Sequence, residues 1–528
     1  MAKRPSIESK SDLGGVRQGP QTTYGLQKAR QNLRAGRYTA ALAGYRNLVH
    51  SYPDDPQLWA EFGSAAVGDL DFAQADQAFR RALELAPSDA NLLVFLFTQY
   101  YELRRLDEAT ACLRRAVQAD PSSVNVRLTL AAWLERNHGL GEAWECVEAS
   151  LAQHPQECHA LYFKAFLLHR KGLNEEAERA LRDLLKNDSL LPLDVRADAH
   201  HLLGVVLDAQ GQYAEALSCL GRAKIIRWGM VNAAAFEQAS DQLNRARRDL
   251  LAQLKPEMVR RWREESAATP CPRPLALIGG AMRSGTSLIE QVIGAHPDVL
   301  IFDESMSSLK LLLADLSPPP PSAGLTIGSL NALGPARRGL LISRYFKSLL
   351  REMRKDPGAG LVVDKNPSTT AWLHVWLRLF PQSKVVIALR DPRDTIISCY
   401  FQNVLAEWGI VHFSSLERTA KFYSVCMDVW LRMRDLGGFD WIEMRYEDLV
   451  KNLEAEGRRV TNFLGLTWHE RQAAYHETAR QRFVHSPTYN DVIKPVYTRA
   501  VRRWEHYADA LAPLQASLEP YLQAFGYS

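Results

Sequence analysis

The sequence predicts an all-α repeat array followed by an α/β domain with a mainly parallel sheet. Three observations carry this. Prolines and small residues recur every 34 residues through the first half of the chain. From about residue 272, short apolar runs alternate with helical segments, as in parallel strands joined by helical crossovers. The first of those runs ends in a glycine-rich turn with a helical pattern directly behind it. In such a turn, backbone N–H groups and a helix N-terminus converge on an anion.

At 528 residues the chain is long enough for two or more cores. Its composition, 46% hydrophobic and 23% charged, is that of a globular protein. A net charge of +4 is too small to point to nucleic acid as a partner. The start, Met-Ala-Lys-Arg-Pro-Ser, lacks the apolar core of a secretory signal. No apolar run approaches the roughly eighteen residues of a membrane span. The seven cysteines are scattered and never form C-x-x-C, so they read as small buried hydrophobes in a reducing compartment. A cytoplasmic protein without a structural zinc is expected.

Residues 1–22 are polar and read as a disordered tail. Beyond them, Pro53, Pro87, Pro121 and Pro155 lie 34 residues apart, each preceded twelve residues earlier by an alanine: Ala41, Ala75, Ala109 and Ala143. Ala177 continues the series and, after a small insertion, Ala216 resumes it with Gly204 twelve before it. Each period holds two amphipathic helices, for example 92–101 and 106–118. Small residues let the pair approach closely, and the proline ends the second helix. The period and its offsets resemble the tetratricopeptide repeat over residues 23–228, about six repeats. The resemblance implies a superhelix whose concave face binds a protein or peptide, or brings two copies together as a homodimer. Scaffold and recruiter stay equally open. Residues 229–270 read as a helical connector.

The α/β domain is assigned to residues 271–528, with strands at 275–278, 299–302, 361–363, 384–389 and 441–444. Ligands of such sheets sit at the carboxyl ends of the strands, and every polar motif follows one of these runs. Ser317-Pro-Pro-Pro-Pro-Ser322 reads as an exposed, semi-rigid loop.

Behind the first strand, Gly280-x-x-x-x-Gly285 has P-loop spacing. Thr286, however, stands where a nucleotide triphosphatase carries lysine, which leaves Arg283 as the loop's strong cation. A plain strand–helix turn would also need glycine. Behind the fourth strand comes Leu389-Arg-Asp-Pro-Arg-Asp-Thr-Ile-Ile-Ser398. Proline suits the helix start there, and Asp394 in the first turn favours its dipole. Arg390 and Ser398 suit a second phosphate, the arginine supplying charge and bidentate geometry. An ordinary Arg–Asp surface pair is the alternative.

The two motifs, Arg-Ser-Gly-Thr-(Ser/Thr) and Arg-Asp-Pro-x-Asp-x-x-x-Ser, lie about 107 residues apart. Together they resemble the phosphate-binding motifs of the PAPS-dependent sulfotransferases, PAPS being 3′-phosphoadenosine 5′-phosphosulfate. The resemblance covers residues 272–510. Arg445-Tyr-Glu-Asp-Leu449 and Val496-Tyr-Thr-Arg-Ala-Val-Arg-Arg-Trp504 are most similar to the tyrosylprotein-sulfotransferase-like branch. It implies a P-loop-like domain that uses PAPS as co-substrate, releases PAP and needs no metal. By this resemblance Arg283, Ser284, Gly285, Thr286 and Ser287 hold the 5′-phosphate, and Arg390 and Ser398 the 3′-phosphate. Tyr446 would lie near the nucleotide, and Lys494 and Arg503 would close the far end. Arg503 stands where related sequences often have lysine.

Glu304 resembles the family's general base, which takes the proton of an acceptor hydroxyl. Asp303 is the runner-up, because strand alternation would aim only one of the two at the site. A helix-capping carboxylate is the plain alternative. Lys365, in Val363-Asp-Lys-Asn-Pro367, would neutralise charge on the leaving oxygen, unless it is a solvated loop lysine. His296 reads as structural, and the other histidines, including His374, His412 and His485, lack metal-ligand spacing. The acceptor would be a hydroxyl on a peptide tyrosine, a carbohydrate or a small metabolite. Variable loops at 305–360 and 404–420 would build its pocket, with Trp408, Phe413 and Tyr423 as aromatic candidates. Two rivals remain: a P-loop kinase, which Thr286 opposes, and a catalytically inactive repeat-based binding protein.

Overall fold

The computed structural model describes residues 20–304, 313, 316, 325–350, 360–480 and 489–528. The proline run at 317–322, His485 and most of the expected tail lie outside the described residues. The chain forms two compact units, one reaching Leu167 and the other beginning at Leu168.

In the first unit the helices come in pairs: α1 (Pro20–Arg34) with α2 (Tyr38–Ser51), α3 (Pro56–Gly68) with α4 (Phe72–Leu85), α5 (Ala90–Glu102) with α6 (Leu106–Ala119), and α7 (Val124–Arg136) with α8 (Leu140–Gln153). Helix α1 thus begins at Pro20, inside the stretch expected to lack structure. Each second helix stops two residues before its proline, which cannot continue the hydrogen-bond ladder. Asp55, Asp89 and Ser123 follow at the same 34-residue interval and cap the next helix by accepting its first N–H groups. The turns inside the pairs carry a left-handed residue at matching positions, Gly36, Leu70, Arg104 and His138. Ala41, Ala75, Ala109 and Ala143 have no exposed surface, because each sits where the paired helices touch.

The second unit opens with further repeat helices, α9 (Cys158–Arg170) ending in it, α10 (Asn174–Leu184), α11 (Leu193–Ala209) and α12 (Tyr213–Gly229). Ala177 and Ala216 are again fully buried. A Cβ on Gly204 would meet Leu220 Cγ at 2.8 Å and the Ala216 carbonyl oxygen at 2.9 Å, so α11 and α12 cross at glycine. Helices α13 (Ala233–Gln253) and α14 (Pro256–Glu265) lead to the sheet.

Five parallel strands follow: β1 (Leu275–Gly280), β2 (Val299–Asp303), β3 (Leu361–Lys365), β4 (Lys384–Leu389) and β5 (Trp441–Arg445), in spatial order β2-β3-β1-β4-β5. The parallel sheet and the helical repeats agree with the fold class read from the sequence. Strands β1, β3 and β4 are buried along almost their whole length, as apolar runs covered on both faces must be. The chain leaves β1 toward β3 and β2, then returns to place β4 on the other side of β1. That reversal opens a crevice at the carboxyl ends of β1 and β4.

The segments 305–360 and 404–420, expected to be loops, contain helices where they are described: Ile327–Asn331, Pro335–Leu350 and Glu407–His412. Phe413 and Tyr423 are core residues, 1% and 4% exposed, not an open aromatic lining. Trp408 packs edge-on against Phe413 at 5.9 Å. Among the described residues no helix is long and apolar enough to cross a membrane.

The contact at Ala143 yields a stability test. Ala143→Leu forces three more carbons into a seam without free volume and should cost the repeats about 1–3 kcal/mol, read from urea denaturation.

Candidate active site

The loop from β1 to α15 (Thr286–Gly294) is shaped by backbone strain and by close approach. Gly280 has φ +129, and a Cβ there would lie 2.3 Å from the Ala388 carbonyl oxygen of β4. Thr370 locks the strand end: its hydroxyl accepts from the Gly280 N–H at 2.7 Å and donates to the Gly280 carbonyl at 3.0 Å. Gly285 caps α15 with φ +98, and a Cβ on it would reach within 2.7 Å of the Tyr446 ring. Both positions need glycine. The first N–H groups of α15 have no partners within the helix. Ser284 and Thr286 are buried, Ser287 is half-buried, and the Ser284 hydroxyl donates to the Ala281 carbonyl at 2.7 Å.

The two sequence motifs meet directly. Arg283, itself in a left-handed conformation, donates from Nε to Ser398 Oγ at 3.1 Å. Arg390 donates from Nη1 to the Arg283 carbonyl at 3.1 Å and lies over the Tyr446 ring, 5.0 Å from its centroid. Ser398 sits in the helix Pro392–Tyr400 behind β4 and is 7% exposed. Burial pulls the Arg283 pKa down, and the neighbouring Arg390 adds to this. Among the described residues no carboxylate pairs with Arg283. Arg390 has Asp394 at 3.8 Å, yet its buried Nε has no hydrogen-bond partner. Two adjacent guanidiniums with an orphaned donor, beside a helix N-terminus, form a site for an anion. This donor set fits a doubly phosphorylated nucleotide.

A second cluster stands at the carboxyl ends of β2 and β3. The parallel register pairs Asp303 with Lys365. Lys365 has no exposed surface, and its Nζ lies 2.5 Å from Asp303 Oδ1, 2.9 Å from Glu304 Oε1 and 3.6 Å from Glu290 Oε2. Strand alternation was expected to aim only one of Asp303 and Glu304 at the site. Both converge on Lys365 instead, because Glu304, with φ +53, leaves the extended geometry on which alternation depends. Glu304 is the more open of the two, at 28% side-chain exposure against 11%. Burial alone would lower the Lys365 pKa, but Asp303, Glu304 and Glu290 together raise it well above the ordinary lysine value.

Glu290, on α15, was not among the residues singled out. Its sequence signal is an acid inside the apolar stretch Leu288-Ile289-Glu290-Gln291-Val292-Ile293. It is 2% exposed, and burial with the nearby Asp303 pushes its pKa up to about 8. The remaining expected residues fall into different surroundings. Tyr446 begins the helix Tyr446–Lys451, is 8% exposed, and burial raises its hydroxyl pKa. Lys494 is exposed; its backbone N–H donates to the Asp491 carbonyl at 3.2 Å and its carbonyl accepts from the Tyr475 hydroxyl at 3.0 Å. Arg503 donates to Asp208 Oδ2 at 2.7 Å and covers the Phe401 ring. His296 is satisfied structurally, its ring bonded to the Asp298 N–H and the Thr467 carbonyl.

The glycine turn, the arginine pair and the lysine–carboxylate cluster all stand at the carboxyl ends of one parallel sheet. Comparison with known proteins identifies the family. A model described as "Sulfotransferase family" matches residues 274–470, and a tetratricopeptide-repeat model matches 61–124 and 168–226. The chain thus carries a sulfotransferase-family domain behind tetratricopeptide repeats. It is 26% identical over 356 residues to an uncharacterised protein of Aquifex aeolicus, a match covering 64% of this chain and 43% of that protein's length. It is 24% identical over 265 residues to a putative protein-tyrosine sulfotransferase of Caenorhabditis briggsae, covering 48% of this chain and 89% of the other. Among solved structures, the MamA protein is covered completely by 33% of this chain, with 17% identity and a TM-score of 0.27.

The raised Glu290 pKa has a measurable consequence. Its carboxyl titrates near 4.5 when free and near 8 in the fold. Between those values the folded chain keeps a proton that the unfolded chain releases, so this group's contribution makes stability fall as pH rises. Glu290→Gln should flatten that part of the slope, seen as a smaller drop in Tm between about pH 5 and about pH 8.

Proposed function

We propose that the protein transfers a sulfuryl group from PAPS to a hydroxyl acceptor. The observation that carries this reading is the Arg283–Ser398 hydrogen bond, which joins the two phosphate motifs into one site. PAPS would supply a sulfuryl group carried on its 5′-phosphate, leaving PAP. Arg283, Ser284, Gly285, Thr286 and Ser287 hold the 5′-phosphate through backbone N–H groups, hydroxyls and one guanidinium. Arg390, with its unpaired Nε, and Ser398 hold the 3′-phosphate. Tyr446 flanks the nucleotide beside Gly285, and exposed Lys494 is free to approach from the far end.

Glu304 takes the proton from the acceptor hydroxyl, being the most accessible carboxylate around Lys365. Asp303 holds Lys365 from the strand end and stands ready to share the proton. Lys365 supplies positive charge inside a dry, fixed setting, where it balances the carboxylates and offsets charge that develops on a leaving oxygen. None of these roles calls for a metal. A peptide tyrosine is the favoured acceptor, in keeping with the printed name of the Caenorhabditis briggsae relative. The repeats recruit that acceptor or a second copy of the chain.

Calorimetry with PAP tests the donor site. Arg283→Ala and Arg390→Ala should each raise the PAP Kd by about tenfold or more, the scale of a lost charged hydrogen bond. Binding of PAP no tighter than ATP would overturn the reading. The chemistry is tested separately, by transfer from labelled PAPS to tyrosine peptides. Glu304→Gln should lower kcat by about 10²–10⁴ while leaving the PAP Kd within about twofold.

A further inference from the structure

The last repeat belongs to the same compact unit as the sheet, and its side chains grip the two segments that support Arg390 and Ser398. The first segment follows the helix Pro392–Tyr400. His201 of α11 donates to the Phe401 carbonyl at 3.1 Å, and Lys224 of α12 donates to the Gln402 carbonyl at 2.6 Å. Asn403 donates to Asp198 of α11 at 2.6 Å. The Gln402 amide in turn donates to the Ser398 carbonyl at 3.1 Å, one helical turn back.

The second segment runs from Ala500 to Tyr507. Arg390 donates to the Ala500 carbonyl, and buried Asp394 accepts the Arg502 and Trp504 N–H groups at 2.8 Å each. The orientation of the Arg390 guanidinium therefore depends on where 500–504 lies. Asp208, near the end of α11, holds the second segment where that segment packs against Phe401 of the first. It accepts from Arg503 at 2.7 Å and from the Tyr507 hydroxyl. The Arg503 guanidinium lies 4.2 Å from the Phe401 ring centroid, and the Tyr507 ring meets the same ring edge-on at 5.7 Å. Tyr213 of α12 stacks on His506 at 4.2 Å and completes the brace.

We propose that Asp208 is a positioning residue for the 3′-phosphate half of the donor site, acting through Arg503, Tyr507 and Phe401. The inference rests on the donor-site reading given above. It assigns the last repeat a part in nucleotide binding that repeats do not have when they only recruit partners, and it makes Arg503 a strut and not a ligand. The physical basis is preorganisation: hydrogen-bond donors held in place before binding lose little freedom when the anion arrives, and misplacement by about 1 Å is costly.

The test compares PAP with adenosine 5′-monophosphate, which lacks the 3′-phosphate, by calorimetry on the full chain. The wild-type chain should prefer PAP; if it does not, the donor-site reading itself fails, and this inference with it. Given that preference, Asp208→Asn should raise the PAP Kd about tenfold and leave the monophosphate Kd within about twofold. Asp208→Glu should recover part of the loss. Tyr507→Phe, which removes only the hydroxyl, should shift PAP in the same direction by about two- to threefold, and it serves if Asp208→Asn does not fold. Glu215→Gln, in the same repeat as Asp208, breaks the exposed pair with Arg182 of α10 and should change neither Kd. Equal weakening of both nucleotides, or no change in either, would overturn the positioning role.

Discussion

The site depends on a single joint, the hydrogen bonds that tie Arg283 to Ser398 and Arg390 to the Arg283 carbonyl. They fasten the loop behind β1 to the helix behind β4, where the strand order reverses and the crevice opens. Two guanidiniums side by side repel each other, and burial makes each charge more expensive to hold. The chain accepts that cost through tertiary constraints. Gly285 lets the Tyr446 ring pack against the loop, Thr370 pins the end of β1, and Arg283 itself is held in a left-handed conformation. An arriving anion would relieve the repulsion between the two guanidiniums.

Lys365 solves a second electrostatic problem. A general base must remain negative near an anionic ligand, yet three carboxylates at the ends of β2, β3 and α15 would repel one another and the ligand. Placing a fully buried ammonium among them neutralises part of that charge. Glu290 then carries its proton near neutral pH, because it is deeply buried and close to Asp303. Glu304 is the most open of the three carboxylates, at 28% side-chain exposure, and Asp303 and Glu290 are more deeply buried beside the lysine. The basic and acidic halves follow different strands of one sheet, β1 and β4 for the first, β2 and β3 for the second.

Much of this was legible in the sequence. The repeat helices follow from a 34-residue period, because each turn of the pattern needs a small residue at the helix crossing and a helix breaker behind it. The five strands were legible because a parallel sheet is buried on both faces and its strands become continuous apolar runs. The turn behind β1 and the arginine behind β4 were legible as glycine and arginine at fixed offsets behind those runs. Glu290 was not, because an acid on a helix reads as solvent-facing until the partner across the sheet is known. Thr370 was missed for a similar reason, since its hydroxyl matters only through the strand end it meets 90 residues away in the chain. Strand alternation misjudged Asp303 and Glu304, because periodicity holds only while the backbone stays extended and Glu304 departs from it.

By itself the sequence determined the local order of this protein: paired helices, parallel strands and the turns that present N–H groups to an anion. These depend on residues close together in the chain, where spacing and side-chain type decide the outcome. Only the tertiary structure decided which distant groups meet. It put Ser398 against Arg283, three carboxylates around Lys365, and Asp208 of a repeat helix beneath Arg503. The reason is that charge partners are chosen by proximity in space, and proximity here is set by sheet order, register and helix packing, none of which is written at any one position.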